Sequence, residues 1–307
     1  MIKATEYSVV TGAFSYTGKY ITERLLAIGE KVITLTGRPQ SENTFGQQVK
    51  AFQFNFDKPT DLTEILRGAN TLYNTYWVRY PHGQLSYDKA VENNKILISA
   101  AKAAGICRIV YLSITNPSED SPFPYFRGKA VVERAIIESK LSYAIIRPTV
   151  IYGPEGILFN NIAWLLRKFP VFAIPGSGEY RIQPVFVEDL AEMVVRAGQQ
   201  DDNFILDAVG PETFTFDELV KLIARQVDRR VRTAYVKPRL ALVIAGLIGC
   251  FIRDVVITRD EIDGLMSNLL VSKGQATMPT LFSEWLNQNA DRIGRRYISG
   301  LERKYRD

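Results

Sequence analysis

Histidine is nearly absent from this chain of 307 residues, with His82 its single instance. A Ser-His-Asp triad or a histidine-based metal centre has to be assembled around that one loop residue, so neither is expected and no metal is assigned. Cysteine is almost as scarce. Cys107 and Cys250 cannot make a disulfide framework and read as small buried apolar residues. No stretch reaches the roughly 20 apolar residues of a membrane-spanning helix. The nearest, residues 240–252, is too short and lies between Arg239 and Arg253. Internal repeats and low-complexity segments are also missing. The opening MIKATEYSVVTG enters a β-branched run almost at once, which leaves no room for a secretory leader and reads as cytoplasmic. The net charge of +5 invites a nucleic-acid partner, but the basic residues are scattered. Their densest group, residues 292–306, is interleaved with Glu302 and reads as a solvated helix face, so no nucleic acid is expected.

What is present starts at residues 8–39. A short β-branched run (Val9, Val10, Thr11) leads into a glycine turn, then a helical pattern (Ile21, Leu25, Leu26, Ile28), a stop at Gly29 and a second apolar run (Val32, Ile33, Leu35). Strand, glycine turn, helix and strand in about thirty residues is a βαβ unit whose first turn is built to receive a dinucleotide pyrophosphate. Gly12 and Gly18 take the first and last glycine roles, while Ser15 stands at the middle one. Ser15 crowds the pyrophosphate position, although its hydroxyl is also a donor for it.

Alternation continues with strands at 51–55, 71–75, 109–112 and 143–150, the last broken by Pro148, and helices at 84–104 and 125–139. Asp61, with Glu64 three residues on, is expected to cap a brief helix ending at Gly68. Strands separated by helices predict an α/β fold with a doubly wound parallel sheet, the Rossmann arrangement. After Gly153 the rhythm changes. Thr215 with Glu218 and Thr258 with Glu261 form capping boxes in that second half. Residues 1–153, with 179–209 returning to them, are expected to form the nucleotide domain; 154–178 and 210–307 form a smaller, discontinuous cap lobe.

Three features carry chemistry. After the second strand the chain reads Leu35-Thr36-Gly37-Arg38, with an arginine where a carboxylate would hold a ribose 2′-hydroxyl. A guanidinium suits a 2′-phosphate, so NADP(H) is favoured, with NAD(H) as the alternative. Asp57, past the third strand, either holds the adenine amino group or serves as a turn residue. Tyr125 and Lys129 form a YxxxK pattern, four apart on one helical face. An ammonium beside a phenol lowers its pKa and makes it a usable acid or base. The pattern is common by chance and draws its weight from placement, one loop beyond the strand RIVYLSIT, whose end offers Ser113 and Thr115.

In order, TGxxxxxG, the strand-five serine, YxxxK, IIRPTVIYGP (residues 145–154) and GSGEYRIQPVFVEDLA (residues 176–191) resemble the extended short-chain dehydrogenase/reductase superfamily over about residues 8–210. Ser15, the LTGRP end of strand two and TRDEIDGL (residues 258–265) look more like its atypical branch of NmrA-like proteins and the NADPH-binding accessory subunit of respiratory complex I. The resemblance implies Tyr125 as general acid/base, Lys129 as its partner and a holder of the nicotinamide ribose, and Ser113, with Thr115 in reserve, as the group orienting the substrate. It implies Thr11, Gly12, Phe14, Ser15, Tyr16 and Gly18 as the pyrophosphate loop. Asn74, Thr75 and Tyr76 would pass the nicotinamide half, Pro148 and Val150 border the carboxamide, and Asn160 and Arg181 contact substrate. Tyr76 and Trp77 replace the superfamily's usual small residues, and the interval from Ser113 to Tyr125 is short for an extended member.

Two stretches stay open. The aromatic loop at residues 76–80 offers either a stacking surface for a planar substrate, such as a quinone or nucleobase, or ordinary lid packing. Residues 240–250 read as an apolar substrate channel, a homodimer face or, more plainly, a buried helix of the smaller lobe. Two functions are therefore weighed: an NADP(H)-dependent oxidoreductase or epimerase acting on a small molecule, and a nucleotide-binding regulatory or assembly protein without turnover.

Overall fold

The computed structural model describes residues 7–37 and 44–301. In chain order the first elements are β1 (Tyr7–Thr11), α1 (Tyr16–Ala27), β2 (Val32–Thr36), β3 (Val49–Gln53), α2 (Pro59–Leu66), β4 (Ala69–Asn74), α3 (Tyr87–Ala104), β5 (Arg108–Leu112), α4 (Pro124–Glu138) and β6 (Ser142–Pro148). There follow β7 (Val150–Tyr152), α5 (Ile157–Lys168), β8 (Val171–Pro175), β9 (Arg181–Ile182), β10 (Pro184–Phe186), α6 (Val187–Gly198), β11 (Phe204–Ala208), β12 (Phe214–Thr215), α7 (Phe216–Gln226), β13 (Arg232–Val236), α8 (Pro238–Ile252), α9 (Arg259–Met266) and α10 (Phe282–Gln288).

The chain forms two compact units, Met1–Pro148 with Leu190–Asp207, and Thr149–Asp189 with Ala208–Asp307. The first is organised on a seven-stranded sheet of order β11-β6-β5-β4-β1-β2-β3. Every pairing from β6 to β3 is parallel, as the doubly wound expectation requires. The order reverses beside β1, so the carboxyl ends of β1 and β4 form the switch point where such sheets bind ligands. The central strands are buried on both faces. Val9, Leu35, Leu72, Ile109, Tyr111 and Ile145 are solvent-free in the core. Arg108, buried at the start of β5, donates to the carbonyls of Ala197 (2.8 Å) and Asp202 (2.8 Å) and to Ser142, which ties the returning segment to the sheet.

The second unit has its own core, with Tyr152, Phe159, Ile174, Leu219, Phe282 and Leu286 at its centre. Its strands pair in twos: β10 with β7, β12 with β9, and β13 with β8. Both capping boxes are present, Thr215 with Glu218 and Thr258 with Glu261.

Four local expectations are corrected. Asp61 does not cap α2; Lys58 precedes the helix and Pro59 opens it, because a ring-fixed φ suits the first helical position. Asp61 instead accepts a hydrogen bond from Asn55 at 3.0 Å. Residues 240–250 are not a buried helix, since α8 turns Leu247 and Phe251 outward at 69% and 91% exposure. Cys107 and Cys250 are exposed, the first in the α3–β5 connection and the second on that outward face of α8.

Candidate functional site

The first unit builds its candidate site from the turn after β1. Gly12 has φ +68°, a left-handed conformation that glycine adopts without a Cβ penalty. Its N–H donates to Leu35 O (2.7 Å), and its carbonyl accepts from Ser15 N–H (2.8 Å). Gly18 comes so close to that turn that a Cβ on it would lie 2.0 Å from Gly12 O. The first and last glycines are thus required by geometry, one for the turn and one for packing. No side chain caps α1 and its first turn holds no acid, which leaves the positive helix end to an anion. The Ser15 hydroxyl, read as a phosphate donor, donates instead to Gly12 O at 2.6 Å. Phe14 is half-buried and stacks on Phe45 at 6.4 Å, while Tyr16 meets Tyr20 edge-on at 6.0 Å. Arg38 lies outside the described residues.

Thr11, Asn74 and Thr75 lock the ends of β1 and β4 together. Thr11 Oγ1 accepts the Thr75 N–H (2.7 Å), and Thr75 Oγ1 donates to Thr11 O (2.5 Å). Asn74 accepts the Tyr76 N–H (3.0 Å) and donates to Asn94 of α3 (2.8 Å). Thr11 and Asn74 are solvent-free, so they shape the floor of the site rather than present side chains to a ligand. The Tyr76 ring leans on Phe54 (5.0 Å) and Phe56 (5.2 Å), and its hydroxyl accepts from Asn93 (2.8 Å). Burial raises its phenol pKa above the ordinary value. Phe54 and Phe56 were not read from the sequence, although their two-residue spacing past β3 carried the signal. Asp57 follows them, exposed in the turn before α2.

The YxxxK pair sits on the first turns of α4. Lys129 is buried and its Nζ donates to Leu112 O at 2.7 Å. The ammonium also lies over two rings, Trp77 at 4.7 Å and Tyr111 at 4.8 Å. Tyr125 meets Trp77 and Tyr87 edge-on, both at 5.8 Å. Trp77 stacks on Tyr87 and presses against Gly128, where a Cβ would lie 2.9 Å from the indole. The aromatic loop therefore packs onto the dyad through Trp77, and its Val78 and Tyr80 are buried. One helical turn past Lys129, the buried Glu133 carboxylate holds Arg147 of β6 through two bonds, at 3.0 and 2.5 Å.

Tyr111, Ser113 and Thr115 follow one another at the two-residue period of a strand. Their three hydroxyls are buried and have no hydrogen-bond partner among the described residues. Burial first, then the charges of Glu133 and Tyr125, push the Tyr111 phenol well above its ordinary pKa, so it stays protonated. The structure thus brings Ser113 and Thr115 to the β5 end whose last carbonyl holds Lys129. Unpaired buried hydroxyls there, in the same unit as a glycine turn that a Cβ on Gly18 would obstruct, fit a polar ligand such as a dinucleotide. Pro148 ends β6 beside Thr115, whose N–H donates to Pro148 O at 2.9 Å.

Val150, Asn160 and Arg181 belong to the second unit. Val150 pairs with Pro184. The Asn160 side chain donates to Arg296 O (2.9 Å) and accepts the Gly294 N–H (2.9 Å), so its amide fastens a loop of that unit. Arg181 is exposed on β9. Among the described residues no group of three His, Cys, Asp or Glu is placed to hold a metal.

With this geometry in place, the sequence matches the NAD dependent epimerase/dehydratase family over residues 8–206, and the chain belongs to that family. It is 24% identical over 285 residues to the mitochondrial NADH dehydrogenase [ubiquinone] 1 alpha subcomplex subunit 9 of Arabidopsis thaliana, covering 86% of this chain and 71% of that protein. It is 23% identical over 240 residues to the NmrA-like family domain-containing oxidoreductase flvB of Aspergillus flavus, covering 75% of this chain and 74% of that one. The fold is shared with the NADPH-dependent quinone oxidoreductase of Escherichia coli, solved with NADPH. Its TM-score is 0.72 at 18% identity, over 93% of this chain and 99% of that chain. The chain is thus a member of a nicotinamide-dinucleotide-binding family related to epimerases and reductases.

Proposed function

We propose that this chain is an NADP(H)-dependent oxidoreductase or epimerase in which the Tyr125 hydroxyl moves the proton that accompanies hydride transfer. The observation that carries the reading is the position of Lys129. Its ammonium is held on Leu112 O, next to Ser113 and its unpaired buried hydroxyl. Gly12, Gly18 and the open end of α1 would hold the pyrophosphate. Arg38 would select the 2′-phosphate, with NAD(H) as the alternative. The bound nicotinamide supplies the hydride. Ser113, with Thr115 in reserve, orients the substrate carbonyl or hydroxyl. Tyr125, one turn before Lys129, gives or takes the proton. Trp77 and Tyr87 wall the phenol on two sides and suit a planar or apolar small molecule.

Trp77 also favours a second reading, a nucleotide-binding regulatory or assembly protein without turnover. Its indole covers the Lys129 ammonium at 4.7 Å, a cation that would otherwise hold a ribose. The similarity to an NADH dehydrogenase subunit supports it too. Tyr125→Phe separates the two. The first reading expects NADPH-dependent reduction of a carbonyl and quinone panel to fall by about 100-fold or more, with the thermal shift caused by NADPH unchanged. The second expects no NADPH consumption by the unmodified protein, with NADPH binding kept.

A further inference from the structure

Helix α8 reverses the usual arrangement of a surface helix. Its buried positions are small, Ala241, Ala245 and Gly249, while Leu240, Val243, Leu247 and Phe251 face outward at 50, 57, 69 and 91% exposure. The inward choice is steric: a Cβ at Gly249 would lie 2.5 Å from Asp254 O. The outward residues fall at spacings of three, four and four, one continuous stripe along the helix. No charged residue interrupts α8 between Arg239 and Arg253.

The ends of the stripe are basic. Lys237 and Arg239 are exposed before it, and Arg253 is exposed after it. The nearest acid, Asp254, is buried and accepts from the Tyr297 hydroxyl (2.9 Å) and the Gly300 N–H (2.8 Å). At Lys237 and Arg239 positive charge therefore adjoins the apolar face, and no ion pair ties either residue to a carboxylate among the described residues. At 15 residues α8 spans about 22 Å, short of a bilayer core. No helix among the described residues is long and apolar enough to cross a membrane. A two-fold pairing of copies through α8 would set basic residues against basic residues at the helix ends, Arg239 against Arg253 if antiparallel and Arg239 against Arg239 if parallel.

We propose that α8 lies in the plane of an anionic membrane surface. Leu240, Val243, Leu247 and Phe251 enter the boundary between headgroups and acyl chains, and Lys237 and Arg239 meet lipid phosphates. This surface is independent of the nucleotide site. The test is co-sedimentation of the full chain with vesicles of phosphatidylcholine, with and without phosphatidylglycerol in a three-to-one mixture. The protein is expected to pellet with the mixed vesicles, far less with phosphatidylcholine, and to be released by salt. A Leu247→Glu/Phe251→Glu variant should partition about tenfold less or weaker still, and a Lys237→Glu/Arg239→Glu variant about tenfold less on the anionic vesicles only. Both pairs are solvent-facing, and an unchanged melting midpoint and NADPH response verify their fold. The proposal is overturned if the unmodified chain stays in the supernatant with both vesicles, or if Leu247→Glu/Phe251→Glu binds as well as the original. A dimer in gel filtration that the same variant splits, with no capture by vesicles, assigns the face to a second copy and overturns it as well.

Discussion

The turn after β1 and the first turns of α4 belong to one unit, yet they are built in opposite ways. At the turn, side chains withdraw: positions 12 and 18 have none, and Ser15 folds its hydroxyl onto Gly12 O. What is left is backbone N–H and a helix end, which recognise charge and leave no room for an added Cβ. On α4, side chains crowd in: Trp77 and Tyr111 cover Lys129, and Trp77 and Tyr87 hold Tyr125. Under the proposed function the first region binds the cofactor, and a Cβ at Gly18 would strike Gly12 O. Under the same proposal the second orients the reacting groups through the shape of its ring packing.

That contrast frames four expectations. Gly18→Val should lower NADPH affinity on the order of 100-fold in calorimetry, since its side chain starts 2.0 Å from Gly12 O and must displace the turn. Affinity kept within a few-fold would erase the distinction between the regions. Trp77→Ala should cost about 3 kcal/mol in urea unfolding through lost packing, yet change NADPH affinity by less than about tenfold. Trp77→Phe, which keeps a ring for the Lys129 ammonium, should recover most of that stability; an equal loss would make the cation–ring contact irrelevant.

Glu133→Gln removes the carboxylate partner of Arg147. A buried pair broken on one side costs about 3–5 kcal/mol, and the 28% exposure of the Arg147 side chain reduces this to about 2 kcal/mol. Denaturant midpoints check it, with NADPH binding unaffected. The smallest effect is in the second unit. Burial raises the Asp217 pKa, but bonds from Lys221 (2.6 Å) and Tyr235 (2.7 Å) outweigh it and hold the carboxyl below its ordinary value. A pKa lowered by folding contributes stability above the unfolded value, near about 4, and that contribution is lost as pH falls through the folded value. Asp217→Asn should flatten the acid limb of a melting-temperature profile by less than about 1 kcal/mol, and an unchanged limb would remove Asp217 from the account.

Much of the first unit was legible residue by residue. Its central strands are buried on both faces, so they read as apolar runs, and the helices between them announce themselves by apolar period, with a cap and a glycine stop on α3. Ser86, which caps α3 through the Lys89 N–H, and Gly105, which ends that helix with φ +80°, are local signals. The β8–β13 pairing was not legible, because its register joins Val171 to Arg232 across an intervening stretch with other strands and helices. For Trp77 the sequence leaves a stacking surface and lid packing both open; its seat on Gly128 depends on α4 approaching the β4 loop.

The sequence by itself determined the glycine spacing, the order of strands and helices, and the presence of tyrosine and lysine on one helical face. These are consequences of local steric and periodic rules that operate over a few residues. Tertiary structure decided the rest: that Ser15 turns its hydroxyl inward, that Lys129 lies buried between two rings, and that α8 shows its large side chains to the outside. Each of these outcomes follows from which distant atoms arrive within contact distance, and no run of neighbouring residues encodes that.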